Sequence, residues 1–340
     1  MAIRQTTETG RSVNMAYRLI LILAFCVAVA GAGPVLAQPA SEQLKAFQER
    51  IDEVGRSFEN NPRFKGLNQQ QRIDRVEFVF GNTLFILLHE MGHVHVHEHR
   101  LPILGRQEDA ADTFAALRLI RSTSAFSQRV LTDAAKGWFF SDRRARQTGD
   151  PMLYYDEHNL SRQRAYEIVC LMVGADPVKF KELADQTGLP AKRRESCKKE
   201  YDYASWSWET VLAPHRRAPD EPKTKIDVVY GEGKDQFAGL ANAFRTIKLL
   251  ETVAAVAADA YAWPAPFTLE MQTCDGPNAG WDDERRTLKI CYNLAFDFSE
   301  LYRAYASAPL VDTPPARAAL PTNAQPGSAK PVRGQRRKAG

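Results

Sequence analysis

The sequence predicts a mainly helical α+β domain with a small sheet, and three features predict it. Apolar residues recur at helical spacing through the first two-thirds of the chain, starting with Leu44, Phe47, Ile51, Val54 and Phe58. An apolar run from Leu84 to Val94 carries two histidines four residues apart. Segments rich in β-branched and aromatic residues collect only later, at Ile226–Tyr230, Phe267–Gln272 and Leu288–Asn293. At 340 residues the chain suffices for one large domain or two small ones. The formal net charge of +4 is concentrated at the ends. Without residues 1–37 and the last 35 the body is about −3, so no basic surface argues for nucleic acid.

At the start, Arg4, Arg11 and Arg18 precede an apolar run from Leu19 to Ala32, and Val35-Leu36-Ala37 supplies a small-residue cleavage site. Residues 1–37 read as a secretory signal, with Met15 as an alternative start. The run is shorter than the roughly 20 residues of a membrane span. The mature chain is therefore expected to be periplasmic or secreted, with no stable span; a retained anchor is the competing reading. Phe25 before Cys26 does not suit lipoprotein processing. Residues 38–65 form an N-terminal helical segment closed by Asn61-Pro62.

The next helix, within 70–98 and with a break expected near Gly81-Asn82, contains His89-Glu90-Met91-Gly92-His93. A helix puts residues four apart on one face, so His89 and His93 can offer two imidazole nitrogens to one metal. Glu90 is placed to take a proton from a metal-activated water. Phe85, Ile86, Leu87 and Leu88 give this helix a buried body. The bland alternative is a pair of core histidines satisfied by local hydrogen bonds.

A catalytic zinc needs a third protein ligand. His99 stands six residues after His93, but position 96 is Val, where a sharp return of the chain calls for glycine. Glu108 is the better candidate. Pro102 and Gly105 end the first helix, and a second, from about Gln107, can run back with Glu108 in its first turn. Asp112, one turn later, would then hold a ligand histidine by its free N–H.

H-E-x-G-H followed by E-x-x-A-D resembles the gluzincin type of zinc peptidase. The longer string FGNTLFILLHEMGHVHVHEHRLPILGRQEDAADTFAALRLI resembles a bacterial family of metallopeptidases, domain of unknown function 4344. Trp138–Asp142, Asp156–Leu160 with Gln163-Arg164, Gly174–Pro177, Cys197 and Ser207-Trp208 continue the match over roughly residues 60–304. The resemblance implies a zincin-like zinc peptidase fold acting on a peptide or protein. The phrase CDGPNAGWDDERRTLKICYNL resembles a part that normally precedes the H-E-x-x-H helix in that family, and here it follows, which implies a permuted segment order. Asn293 stands where the family usually has Glu.

Further along, one helix is expected over 107–136, stopped by Gly137, with Arg118 and Arg121 solvated. A polar loop over 141–159 holds the two candidates for stabilising an oxyanion, His158 first and Tyr155 second. His158 bracing the helix that follows is the structural alternative. Helices are expected over 160–173 and 177–187, and a basic helical face over 192–199. Trp206 and Trp208 are expected to close this core. Residues 66–213 form the zinc-binding helical part, and 214–225 read as a linker by their Pro and charge content. Residues 226–304 form a strand-containing part that docks on the same domain, with a long helix over Phe237–Tyr261 and two strands joined by a turn. Independent domains are the alternative. Residues 305–340, rich in Pro, Ala and Arg, are expected to be disordered. Cys170, Cys197, Cys274 and Cys291 allow three connectivities, and proximity pairs Cys170 with Cys197 and Cys274 with Cys291.

The expected activity is that of an exported zinc metallopeptidase, with His89, His93 and Glu108 on the metal and Glu90 as the base. The rival is a metal buffer or degenerate scaffold. His93, His95, His97 and His99 could chelate adventitious metal in such a protein, which would have no need of Glu90.

Overall fold

A computed structural model describes residues 37–311, with side chains from Phe47 onward. Residues 1–36 of the expected signal and 312–340 of the expected tail lie outside the described residues. The architecture is mainly helical α+β with one four-stranded mixed sheet.

Helix α1 (Ala37–Ser57) leads through two short turns into α2 (Gln69–Glu98), the central element. Asn68 starts α2 with a capping box: its Oδ1 accepts from Gln71 N, and its own N–H donates to Gln71 Oε1, both at 2.9 Å. Such a cap contributes about 1 kcal/mol. Phe78, Phe85, Leu87 and Val94 of α2 are essentially fully buried, each stabilising by roughly 1.5–3 kcal/mol. The break expected at Gly81-Asn82 is absent because both residues serve packing. Asn82 Nδ2 donates to Phe78 O within α2 and to Asp133 O across the helix interface.

Helices α3 (Gln107–Arg121) and α4 (Ala125–Thr148) replace the single helix expected over 107–136. Thr123 takes φ 51°, and Ser124 caps α4 by accepting from Ser127 N. Gly137 does not stop the chain. It lies against Asn82, where a Cβ would stand 2.0 Å from Oδ1, so its role is close helix approach. The stop is Gly149, in the left-handed region at φ 76°. The polar loop is consequently shorter, running from Gly149 to Leu160.

Helices α5 (Ser161–Ala175), α6 (Lys181–Gln186) and α7 (Ala191–Leu212) complete this half. Asp176 does accept from Val178 N and Lys179 N, but regular helix begins only at Lys181. Trp208 is buried, whereas Trp206 is 65% exposed and closes nothing. Arg118 is half-buried over the Tyr261 ring rather than solvated. Cys170 and Cys197 join α5 to α7 at disulfide distance.

Residues 213–225, linker-like in composition, are fastened down. Arg217 N donates to Ala260 O, Ala262 N donates to His215 O, and Arg216 bridges Tyr261. Strand β1 (Ile226–Tyr230) is followed by α8 (Ala238–Ile247) and α9 (Leu249–Ala260), two helices where one was expected. Lys248, at φ 59°, separates them. Then come β2 (Phe267–Gln272), β3 (Ala279–Asp282), β4 (Thr287–Cys291) and α10 (Tyr292–Tyr305). The sheet order is β1-β2-β4-β3, with β2 parallel to both β1 and β4 and β3 antiparallel to β4. The expected pair of strands joined by a turn is therefore a parallel pair, because β3 carries the chain back between them. Cys274 and Cys291 lie at disulfide distance across this return. Residues 306–311, expected to be disordered, continue from α10, and Leu310 and Val311 pack on the core.

The sheet and α10 brace α2 along its length. Near the start of α2, buried Arg75 donates Nε to Ser299 Oγ of α10 and Nη1 to Arg63 O. Near its end, Arg286 Nη2 donates to Glu98 Oε2 at 2.6 Å.

Candidate metal centre

The apolar body of α2 holds its histidines at fixed angular positions, and α3 lies alongside because both surfaces are small. Gly92 faces Ala111 so closely that a Cβ on Gly92 would come 3.0 Å from Ala111 Cα. That approach brings the first turn of α3 onto His89 and His93. One donor atom from each of His89, His93 and Glu108 lies within 4.8 Å of the other two.

Glu108 Oε2 sits 3.1 Å from His89 Nε2, 3.3 Å from His93 Nε2 and 2.9 Å from His158 Nε2. It nevertheless makes no well-aligned hydrogen bond and is buried. His89 and His93 also face each other, Nε2 to Nε2, at 3.1 Å. His89 directs its other nitrogen, Nδ1, to Asp112 Oδ1 at 2.8 Å. In the neutral ring that leaves Nε2 as a bare lone pair, aimed at a carboxylate oxygen and another imidazole. Lone pairs converging in a buried site call for a cation.

The electrostatics agree. Burial opposes charge on His89, but the hydrogen bond to Asp112 and the Glu108 carboxylate beside Nε2 prevail and raise its pKa to about 9. Burial alone would raise Glu108, yet the surrounding imidazoles hold it below the usual carboxylate range. A proton is thus already drawn to this spot, and a divalent cation would take its place. The N2O donor set fits zinc and does not exclude manganese or cobalt.

The supporting groups are equally ordered. Arg164 grips Asp112 with two bonds, at 2.6 and 2.7 Å, while lying over the Trp138 ring. Although burial opposes it, the Arg164 charge and the His89 bond lower the Asp112 pKa to about 2. Gln107 meets His93 Nδ1 at 2.7 Å. Glu90 is buried beside the two histidines, and burial raises its pKa.

His158 reaches the centre from the loop between α4 and α5. Its neighbour Asn159 fixes that loop, donating to Asp109 Oδ1 and Glu167 Oε1 and accepting from Arg106. Tyr155, from the same loop, is 86% exposed and is not brought to the centre. His99 is absent too. It stacks on His215 at 4.1 Å and on Trp263 at 5.1 Å, in a separate aromatic cluster with His95.

Gln107, Arg164 and Asn159 join the centre without a motif in the sequence that assigns them a role. The signal for Gln107 was its place one residue before Glu108. Arg164 and Asn159 lie more than fifty residues from the motif, and no spacing rule links them to it.

A family profile described as "Putative metallopeptidase" matches residues 38–212, just over half of the chain. The chain belongs to this metallopeptidase family. The match contains α1 through α7 and so every residue of the centre. It ends before the sheet, short of the reach to residue 304 expected from the resemblance. No curated protein and no solved structure matches the chain. Among the described residues, no helix is long and apolar enough to cross a membrane.

Proposed function

We propose that the chain is an exported, zinc-dependent peptidase of gluzincin-like design. The observation that carries the reading is the convergence of three imidazole nitrogens on a Glu108 oxygen that no hydrogen bond satisfies. His89, His93 and Glu108 would hold the metal. Bound zinc would polarise a scissile carbonyl and make water a stronger acid.

The remaining steps fall to the chain's own groups. Asp112, clamped by Arg164, fixes His89 with Nδ1 protonated and Nε2 free. Gln107 does the same for His93 once its amide oxygen faces Nδ1–H, a half-turn about its terminal bond. Glu90, with its raised pKa, takes a proton from the attacking water and returns it to the leaving amine. His158, held at Glu108, turns Nε2 to the oxyanion; Tyr155 would need the loop to move and is the weaker candidate. The free edge of β3, in the sheet beside α2, offers backbone groups to an extended peptide. Residues 226–304 packing on α2 supports one domain completed by its later strands, while the permuted segment order rests on the resemblance alone, the family match ending at 212. The two cysteine pairs suit an oxidising compartment.

A metal buffer built on His93, His95, His97 and His99 draws no support, because these side chains have different surroundings. His95 is buried among aromatics, His97 is exposed, and His99 stacks on His215.

Metal content tests the centre. We expect about one zinc per chain, lost in Glu108→Ala and kept in His99→Ala; loss with His99→Ala alone would overturn the assignment. Glu90→Gln should keep the zinc and lower casein hydrolysis by about 10²–10⁴-fold. Unchanged hydrolysis would remove Glu90 from the mechanism.

A further inference from the structure

Behind the metal centre lies a cavity of about 340 Å3 between α2, α3, the start of α4 and α9. Leu84, Leu88, Met91 and His95 of α2 form one wall. At about 100° per residue these four share a stripe, and His89 and His93 lie roughly 130° and 170° around the helix from its centre. No residue of the metal centre lines the cavity. The opposite wall, with Val253, Val256 and Ala257, is equally apolar.

Two polar groups interrupt this surface. His95 is fully buried, and its Nδ1 has no hydrogen-bond partner. Among the described residues Arg118 meets no carboxylate: its Nη1 reaches Tyr261 OH at 3.4 Å, and its guanidinium lies 5.9 Å from that ring. The other cation of the lining, Arg121, is already paired with Glu209. An arginine beside an apolar cavity, with only a phenol to bond, favours a ligand with an apolar body and an anionic head.

We propose that this cavity binds a single-chain alkyl carboxylate, a fatty acid, with its carboxylate on Arg118 and its chain along the α2 stripe. The room matches. At roughly 30 Å3 per water the cavity equals about eleven waters, and a chain of about ten carbons has a similar bulk. Burying that chain against Leu84, Leu88 and Val253 supplies the affinity, and the guanidinium selects the acid over its neutral analogue. The ligand would lie across α2 from the metal centre, so the proposal stands whether or not the chain cleaves peptides.

Calorimetric titration of the full chain with sodium decanoate and with decanol, below micellar concentrations, tests this. Decanoate should bind once per chain and decanol at least about ten-fold more weakly. Arg118→Gln should weaken decanoate about ten-fold or more and leave decanol unchanged. Val253→Trp, which fills the cavity, should abolish binding of both. Retention of zinc and of the circular dichroism spectrum would show that both variants are folded. Should Val253→Trp fail to fold, the Arg118→Gln comparison alone decides. No saturable decanoate binding, equal binding of the two amphiphiles, or binding unchanged in Val253→Trp would each overturn the proposal. So would binding of a leucine-rich peptide but not of decanoate.

Discussion

On one side of α2, His89 and His93 meet Glu108, Asp112 and Gln107 at hydrogen-bond distance. On another, His95 and His99 sit among Phe114, Tyr261, Trp263 and His215, with a nitrogen of each buried and unpartnered. The residue type is the same, His99 lies just past the end of the same helix, and the i,i+4 spacing is repeated. What differs is the neighbour. Carboxylates raise the His89 pKa to about 9, whereas burial, reinforced by His215, lowers that of His99 to about 4. A histidine-rich helix therefore does not announce a metal site by histidine count. It does so where an acidic first turn packs against it.

The contrast can be broken at its origin, the close approach of α3. Gly92→Leu forces Ala111 away, and overpacking of this kind costs about 3 kcal/mol. We expect zinc to be lost along with several degrees of melting temperature; retained zinc would mean that Gly92 does not set the spacing. A milder break is Asp112→Asn, which weakens the hold on His89 Nδ1 and should lower zinc affinity about 10–100-fold, measured by chelator competition. Affinity within two-fold of the parent would exclude Asp112 from orienting the ligand.

Glu167 offers a pH test of the support behind His158. Burial, with Asp109 and Asp112 nearby, raises its pKa from 4.5 to about 7. A carboxylate held above its ordinary value contributes its stability in full below about pH 4.5 and loses it as pH rises through about 7. Glu167→Gln keeps an acceptor for Asn159 and should remove that decline, gaining about 1–2 kcal/mol over the parent at pH 8 relative to pH 4. Urea midpoints at the two pH values give the answer, and parallel profiles would refute it. The smallest effect is expected on the aromatic side. His99→Phe removes a buried unpartnered nitrogen and should stabilise by about 1 kcal/mol with zinc unchanged. A destabilised or zinc-depleted variant would mean that His99 has a polar role after all.

The fold class and the three converging donors were legible in the sequence, because helical spacing and the acidic turn after Pro102 and Gly105 are local signals. The breaks at Ser122–Ser124 and Lys248 were missed. The first is marked only by a Ser N-cap inside a continuous helical pattern, and the second needs a left-handed lysine that no propensity announces. Helix α10 also went unassigned, although Leu294, Phe298 and Leu301 repeat at helical spacing. Gly137 reads as a stop in sequence because its partner, Asn82, is distant along the chain. Arg164 could not be placed for the same reason.

The attachment of α2 at both ends has a consequence for chain continuity. Arg75 on Ser299 and Glu98 on Arg286 tie the metal helix to residues that follow the exposed stretch 218–223. A peptide bond cut within that stretch would separate two pieces that still share a buried interface, the mixed sheet and α10 of one piece packed against α2 of the other. Such a nicked molecule would persist as a complementing pair of fragments, with the three candidate ligands in one and their brace in the other.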